Sequence, residues 1–377
     1  MAVALPLPIE RWVLPTSHRV GVDIQRQIAY SASADRVWVL SAKDESVAVL
    51  DGASGQALGS ISIPSAPQTC VFDNAAGLAY VPLLDDALVI LDARSGALLK
   101  TVSLPAGSQP RNLMPLFARG RVYILNYGQP ATGKRGTVAV LDTRTCEIIK
   151  QIPAGFGPFY GKTGHDRIGK LFFNNRESES AFGPGEVTIV DDSTEDVVAR
   201  IAVGRVPERL AHWPQRNQMY AANLADNTVS AIDIETDTVV ATIPVGDSPY
   251  RLGAVESING RDELWVLCGG SWQLPRMPPQ AEGGQICVIS GQEQRVVRTI
   301  QVCDFPAFWA VSRGYCYVAS AYAREMPVVD IRGGGVVGSV KLGRDPVWAT
   351  FEGIVWSTSG LMFLLNADGT VSVFSSA

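Results

Sequence analysis

Residues 228–249 read TVSAIDIETDTVVATIPVGDSP: a strand, a tight turn at 233–237, a second strand and an exit of the form Gly246-x-x-Pro249. The same pattern recurs along the whole chain. Aromatic- and aliphatic-rich runs begin at Arg36, Leu78, Arg121, Lys170, Gln218, Glu263, Gly314 and Leu361, at intervals of roughly 41 to 51 residues. That period suits one four-stranded propeller blade, and a fixed period stacks into one body rather than splitting into two or three domains. The expected fold is therefore all-β: one domain over 1–377, an eight-bladed β-propeller, with seven blades as the alternative count.

Each run is followed by a third strand rich in Val, Ile and Leu, which usually ends in Asp: Asp51, Asp92, Asp142, Asp191, Asp233 and Asp330, with Ser290 in blade six. Repetition in equivalent positions argues for a turn-closing role, the carboxylate accepting nearby backbone N–H groups, over a catalytic one. The fourth strands leave through Gly107-x-x-Pro110, Gly155-x-x-Pro158, Gly204-x-x-Pro207, Gly246-x-x-Pro249 and Gly343-x-x-Pro346. Glycine is expected there for backbone freedom, and proline to stiffen the approach to the next strand. The last repeat stops after three strands, and residues 14–21 look like a lone fourth strand. The N-terminus is therefore expected to complete the last blade and remove its free edge.

These repeats resemble the YVTN-type β-propeller repeats of bacterial proteins over nearly the full chain, residues 228–246 being the closest copy. The resemblance implies the fold and leaves the activity open, because propellers host many unrelated functions.

Composition narrows the partners. The 377 residues carry a net charge of −5 with Lys and Arg scattered, which gives no footprint for nucleic acid or an anionic membrane. The first residues, MAVALPLPIERW, lack a basic segment and a long apolar core, so no signal peptide or membrane span is expected, and the location is read as cytoplasmic. The six cysteines form no CxxC and no zinc spacing, which fits reduced thiols. A monomer is expected.

In a propeller, the links from fourth strand to next first strand and from second to third strand share one face. Four of the second-to-third links are long, at 126–136, 174–185, 268–284 and 320–326. One-sided lengthening is what a ligand-binding face shows; free loop drift is the bland alternative. Two residues past each exit proline, or its counterpart, stand Arg26, Thr69, Asn112, Tyr160, Arg209, Arg251, Phe308 and Trp348. One position earlier stand Gln68, Arg111, Phe159, Glu208 and Tyr250, and Trp309 is adjacent. Arginine forks suit carboxylate or phosphate, and aromatic faces suit a flat organic group. The competing reading pairs each arginine with a neighbour such as Glu208 or Asp247, and fills the wedges between blades with the aromatics.

His18, His165 and His212 all fall away from this face, which argues against a His-bound metal and a Ser-His-Asp triad. It also departs from the antibiotic-lactone lyase propellers that the fold resembles. No P-loop or dinucleotide fingerprint occurs. Proton transfer would fall to Tyr160, Glu208 and Tyr250, an arginine beside a tyrosine being one way to make a phenol a usable base. Arg26, Arg111, Asn112, Arg209, Arg251, Phe308, Trp309, Trp348, Trp272 and Tyr322 would hold the substrate. The expected function is a lyase, isomerase or cyclase acting on an anionic, partly aromatic small molecule, with no metal and no cofactor. One alternative is a scaffold that docks a peptide or protein partner on the blade-six loop around Trp272. A weaker one is a tetrapyrrole-handling ring, such as those of denitrification, for which the usual His iron ligand is missing.

Overall fold

The computed structural model describes residues 8–15, 27–164, 169–176, 183–254, 262–270, 283–320, 323–346 and 353–375. The chain is an eight-bladed β-propeller. Its strands form eight four-stranded antiparallel sheets. Seven are simple meanders, such as Pro207–Trp213, Gln218–Asn223, Thr228–Asp233 and Thr238–Pro244 in blade five. Three short 3-10 turns are the only helical elements among the described residues.

The eighth sheet takes its outer strand from the N-terminus. Ile9–Pro15 pairs antiparallel with Thr370–Ser375, Ile9 opposite Ser375 and Pro15 opposite Thr370. The closure holds, but the strand lies earlier than residues 14–21, and residues 16–26 lie outside the described ones. Six residues between Ile9 and Pro15 pair with the six from Thr370 to Ser375 and occupy that edge in full. Proline at the strand's end costs no ladder bond there.

The chain forms two compact units. One comprises Met1–Ser103 and Val302–Ala377, holding blades one, two, seven and eight; the other is Leu104–Gln301, holding blades three to six. In both, the third residue of the second strand is aromatic: Trp38, Tyr80, Tyr123, Phe172, Tyr220, Trp265, Tyr317 and Phe363. All are buried. Three of them meet a ring of the next blade within their own unit: Trp38 meets Phe72 edge-on at 5.1 Å, Tyr123 meets Phe173 at 6.0 Å and Tyr317 meets Trp356 at 5.4 Å. Burying one such ring contributes about 1.5–3 kcal/mol, so this position is a main source of blade-to-blade adhesion.

The turn role of the third-strand aspartates is visible directly. Asp51 accepts the N–H of Ser54 at 2.8 Å, Asp191 those of Ser193 and Thr194 at 2.9 Å each, and Asp233 those of Glu235 at 3.0 Å and Thr236 at 2.8 Å. Donors to the charged form hold these carboxyls low, Asp142 and Asp191 at about 2. Ser290 makes a weaker version with Glu293 N–H at 3.2 Å.

The exit glycines divide: Gly107 takes a φ of 74°, the backbone freedom expected of it, whereas others serve a different purpose. Gly155, Gly204 and Gly246 do not adopt positive φ. A Cβ on Gly155 would lie 2.6 Å from Asn175 Cγ, and one on Gly204 2.6 Å from Asn223 Cγ. A buried side chain at the end of the second strand packs onto the glycine backbone, so close approach demands glycine there. Positive φ recurs on the residue before the proline: Gln109, Gly157, Val206, Ser248 and Phe305, at 44 to 62°.

Candidate functional site

The two sets of links share a face in the unit formed by blades three to six. Tyr127 N–H donates to Gln109 O at 3.0 Å, Arg176 N–H to Gly157 O at 3.0 Å, Leu224 N–H to Val206 O at 3.0 Å and Gly269 N–H to Ser248 O at 3.1 Å. Each donor begins a second-to-third link, and each acceptor is the positive-φ residue of the exit link. The left-handed turn thus aims a carbonyl at the neighbouring link and starts the inner strand at the same place in each blade.

A one-residue register shift follows immediately, between Pro110 and Asn112, Pro158 and Tyr160, Pro207 and Arg209, and Pro249 and Arg251. Two residues on the inner strand oppose one on its partner, the signature of a β-bulge. Bulges re-aim side chains, so in each blade both Arg111 and Asn112, Phe159 and Tyr160, Glu208 and Arg209, or Tyr250 and Arg251 start the strand irregularly.

The structure brings the middle of this set together. The Arg209 guanidinium lies over the Tyr160 ring, 4.6 Å from its centroid, joining blades four and five. Both side chains are half-buried. Arg176, which sequence reasoning did not single out, sits over the Phe159 ring at 5.0 Å and pairs with Glu208 at 3.0 Å. Asn174 accepts the Tyr160 N–H at 2.6 Å and donates to Pro207 O at 2.7 Å, which pins the start of both inner strands. Arg111 lies 5.8 Å from the Tyr127 ring, and burial draws its pKa down while Tyr127 acts the other way. Arg251 is 7% exposed, beside the half-buried Tyr250. The local signal for Arg176 was its place one residue past a second strand, on the link that runs along the same face.

Three expected site residues, Asn112 and Phe308 for substrate binding and Glu208 for catalysis, have other occupations. Asn112 is buried, donating to Phe159 O at 3.0 Å and accepting Leu113 N–H at 2.8 Å, so it ties two blades together. Phe308 is fully buried; a Cβ on Gly353 would meet its ring at 2.5 Å, so the ring fills a blade wedge. Glu208 is engaged by Arg176, which is not one of the rim arginines that the ion-pair alternative considered. Trp309 is half-buried one residue further along the blade-seven inner strand. Arg26, Trp272, Tyr322 and Trp348 lie outside the described residues, as do His18 and His165. His212 is the penultimate residue of its inner strand, at the end away from Pro207.

In the other unit, a cavity of about 400 Å³ is lined by Arg324, Gly343, Arg344, Asp345, Ala367 and Asp368. Its charges are matched: Arg324 pairs with Asp345 at 2.9 Å and Arg344 with Asp368. A self-neutralised cluster offers an anion little. Among the described residues no group of three His, Cys, Asp or Glu side chains is placed to hold a metal, and no helix is long and apolar enough to cross a membrane.

Fold and rim define an eight-bladed propeller with an arginine–aromatic arc at the start of its inner strands. No protein-family model and no curated protein matches the sequence. Solved structures do match in shape. The computationally designed Ika8 protein aligns with a TM-score of 0.71 at 15% identity, over 97% of this chain and 100% of its own. The dihydro-heme d1 dehydrogenase NirN, in complex with DHE, aligns at 0.67 and 15%, over 94% and 76%. BamB from Moraxella catarrhalis aligns at 0.64 and 14%, over 98% of each chain. At these identities the likeness is one of fold.

Proposed function

We propose that the protein is a small-molecule enzyme, a lyase, isomerase or cyclase, which binds an anionic, partly aromatic substrate at the start of its inner strands. The observation that carries this reading is the Arg209–Tyr160 stack, with Arg251 and Tyr250 on the next blade. A guanidinium laid on an aromatic face keeps its in-plane N–H donors directed outward from the ring, where a carboxylate or phosphate meets them bidentately. Tyr160 and Tyr250 supply hydroxyls for proton transfer beside that anion. Glu208 has the supporting part of holding Arg176 over Phe159.

Calorimetric titration with aromatic carboxylates and aromatic phosphate monoesters tests this. A binder should emerge whose affinity falls about 10-fold or more on Arg209→Ala or Arg251→Ala, in keeping with the loss of a charged hydrogen bond. Unchanged binding in both variants would remove the reading and leave the peptide-docking alternative. NirN's ligand class supplies a further arm: a Soret band on adding a tetrapyrrole would transfer the site to macrocycles.

A further inference from the structure

Buried side chains at the end of the second strand follow a rule in three blades. Asn175 donates to Thr188 Oγ1, Asn223 to Ser230 Oγ and Asn366 to Ser372 Oγ, each at 2.9 Å. In every case the hydroxyl lies two residues beyond the direct cross-strand partner of the strand's last residue or of its immediate successor. Blade six carries cysteine at both of these positions. Cys268 ends the second strand opposite Gln285, and Cys287 stands two residues on. The two sulfurs are 3.9 Å apart, and both residues are buried.

The surroundings of the pair are polar on one side. Gly246 N–H donates to Cys287 Sγ at 3.3 Å and Gln285 Nε2 to the same sulfur at 3.6 Å. The hydrogen bond from Cys268, then the Gly246 amide, draw the Cys287 thiol below its ordinary pKa against the effect of burial. The Cys268 thiol moves upward, first through that same hydrogen bond and then through burial. One sulfur is thus favoured as thiolate and the other as thiol. The remaining cysteines have no such arrangement: burial raises Cys70, Cys303 and Cys316.

We propose that Cys268 and Cys287 are an oxidisable dithiol that closes to a reversible disulfide under hydrogen peroxide. Cys287 thiolate attacks one peroxide oxygen, the O–O bond breaks, and hydroxide leaves; sulfur is oxidised by two electrons to the sulfenic acid and the peroxide is reduced. Cys268 sulfur then attacks the sulfenic sulfur, and its proton leaves with the displaced hydroxide as water. The balance is two thiols and one peroxide to one disulfide and two waters. The sulfurs must approach from 3.9 Å to about 2.05 Å. That movement withdraws the acceptor from Gly246 N–H, and Gly246 begins the link whose next residues are held by Gly270 N–H to Asp247 O at 3.2 Å and Gly269 N–H to Ser248 O at 3.1 Å. Oxidation is therefore felt at Tyr250 and Arg251. Burial of both sulfurs makes local opening the step that admits peroxide.

The test is intact-mass measurement of the full chain after peroxide, followed by alkylation under denaturing conditions. The expected result is loss of two hydrogens, with four of the six cysteines alkylated, a Cys268–Cys287 link in the peptide map, and reversal by dithiothreitol. The double variant Cys268→Asn/Cys287→Ser copies the pair of blade five, keeps a hydrogen bond at the site, and should show no mass loss. Cys268→Ser should strand the sulfenic acid on Cys287, where dimedone labels it. Alkylation of both thiols after peroxide, irreversible oxidation of Cys287 without a link, or persistence of the mass loss in the double variant would overturn the proposal.

Discussion

Arg209 lies 4.6 Å above the ring of Tyr160, across the junction of blades four and five. Each residue follows an exit proline by two positions, and each is displaced by the bulge between that proline and itself. The contact joins the cation of one blade to the aromatic face of its neighbour at the one point where both inner strands begin.

The stack separates binding from proton transfer. Tyr160→Phe keeps the aromatic face and should leave ligand affinity within about twofold, since the cation–π contact of about 0.5–1 kcal/mol survives. Turnover should drop by about 100-fold or more if the hydroxyl carries a proton. Arg209→Ala should do the reverse, raising the dissociation constant about 10-fold or more. Steady-state kinetics of the two variants beside their calorimetric affinities check the split.

The third-strand aspartates set the acid limit of the fold. Asp191 is held at about 2, through Ser193 Oγ first and then the Thr194 and Ser193 amides, against an ordinary value near 3.8. A carboxyl depressed in the folded state stabilises it fully above the unfolded pKa, and that contribution is lost as pH falls through the folded pKa. Stability should therefore be flat above about pH 5 and decline between about pH 4 and pH 2. Asp191→Asn retains an acceptor oxygen without the charge. It should melt lower than the parent at pH 7 and become indistinguishable from it near pH 2, in thermal melts across that range.

Much of this architecture was legible because it is repeated. The eight second strands, the aspartate turns and the closing strand are each set by local patterns that recur or terminate visibly. Gly155 and Gly204 show where pattern fails: a glycine read as conformational freedom is an approach site for Asn175 or Asn223, a long-range contact that spacing does not carry. Phe308 and Asn112 occupy rim positions in the repeat, yet Gly353 admits the ring into a wedge and Phe159 O draws the amide into a tie between blades. Arg176 was hidden by standing outside the aligned columns, and its role appears only once Phe159 and Glu208 converge on it.

Val206 takes φ of 53° just before Pro207, a conformation a β-branched residue adopts only under constraint. Its carbonyl accepts Leu224 N–H at 3.0 Å, which fixes the turn. Left-handed backbone costs roughly 1–2 kcal/mol at a non-glycine residue, while glycine loses about 0.5–1 kcal/mol in chain entropy. Val206→Gly should therefore raise stability by up to about 1 kcal/mol in chemical denaturation. Stability unchanged or lowered would show that the side chain's packing outweighs the strain.

The N-terminal strand should matter more than its length suggests. Ile9–Pro15 covers the outer edge of Thr370–Ser375, and Glu10 reaches into the other link of that unit, accepting Gly343 N–H at 3.1 Å. Removing residues 1–15 exposes a strand edge that can pair with another chain. The truncated protein should melt lower and self-associate with rising concentration, measurable by light scattering. Glu10→Ala deletes one hydrogen bond and leaves the ladder intact, so it should cost only about 1 kcal/mol and cause no association. If truncation leaves both melting temperature and scattering unchanged, the blade is held by its other three strands, and closure through the N-terminus does not secure the fold.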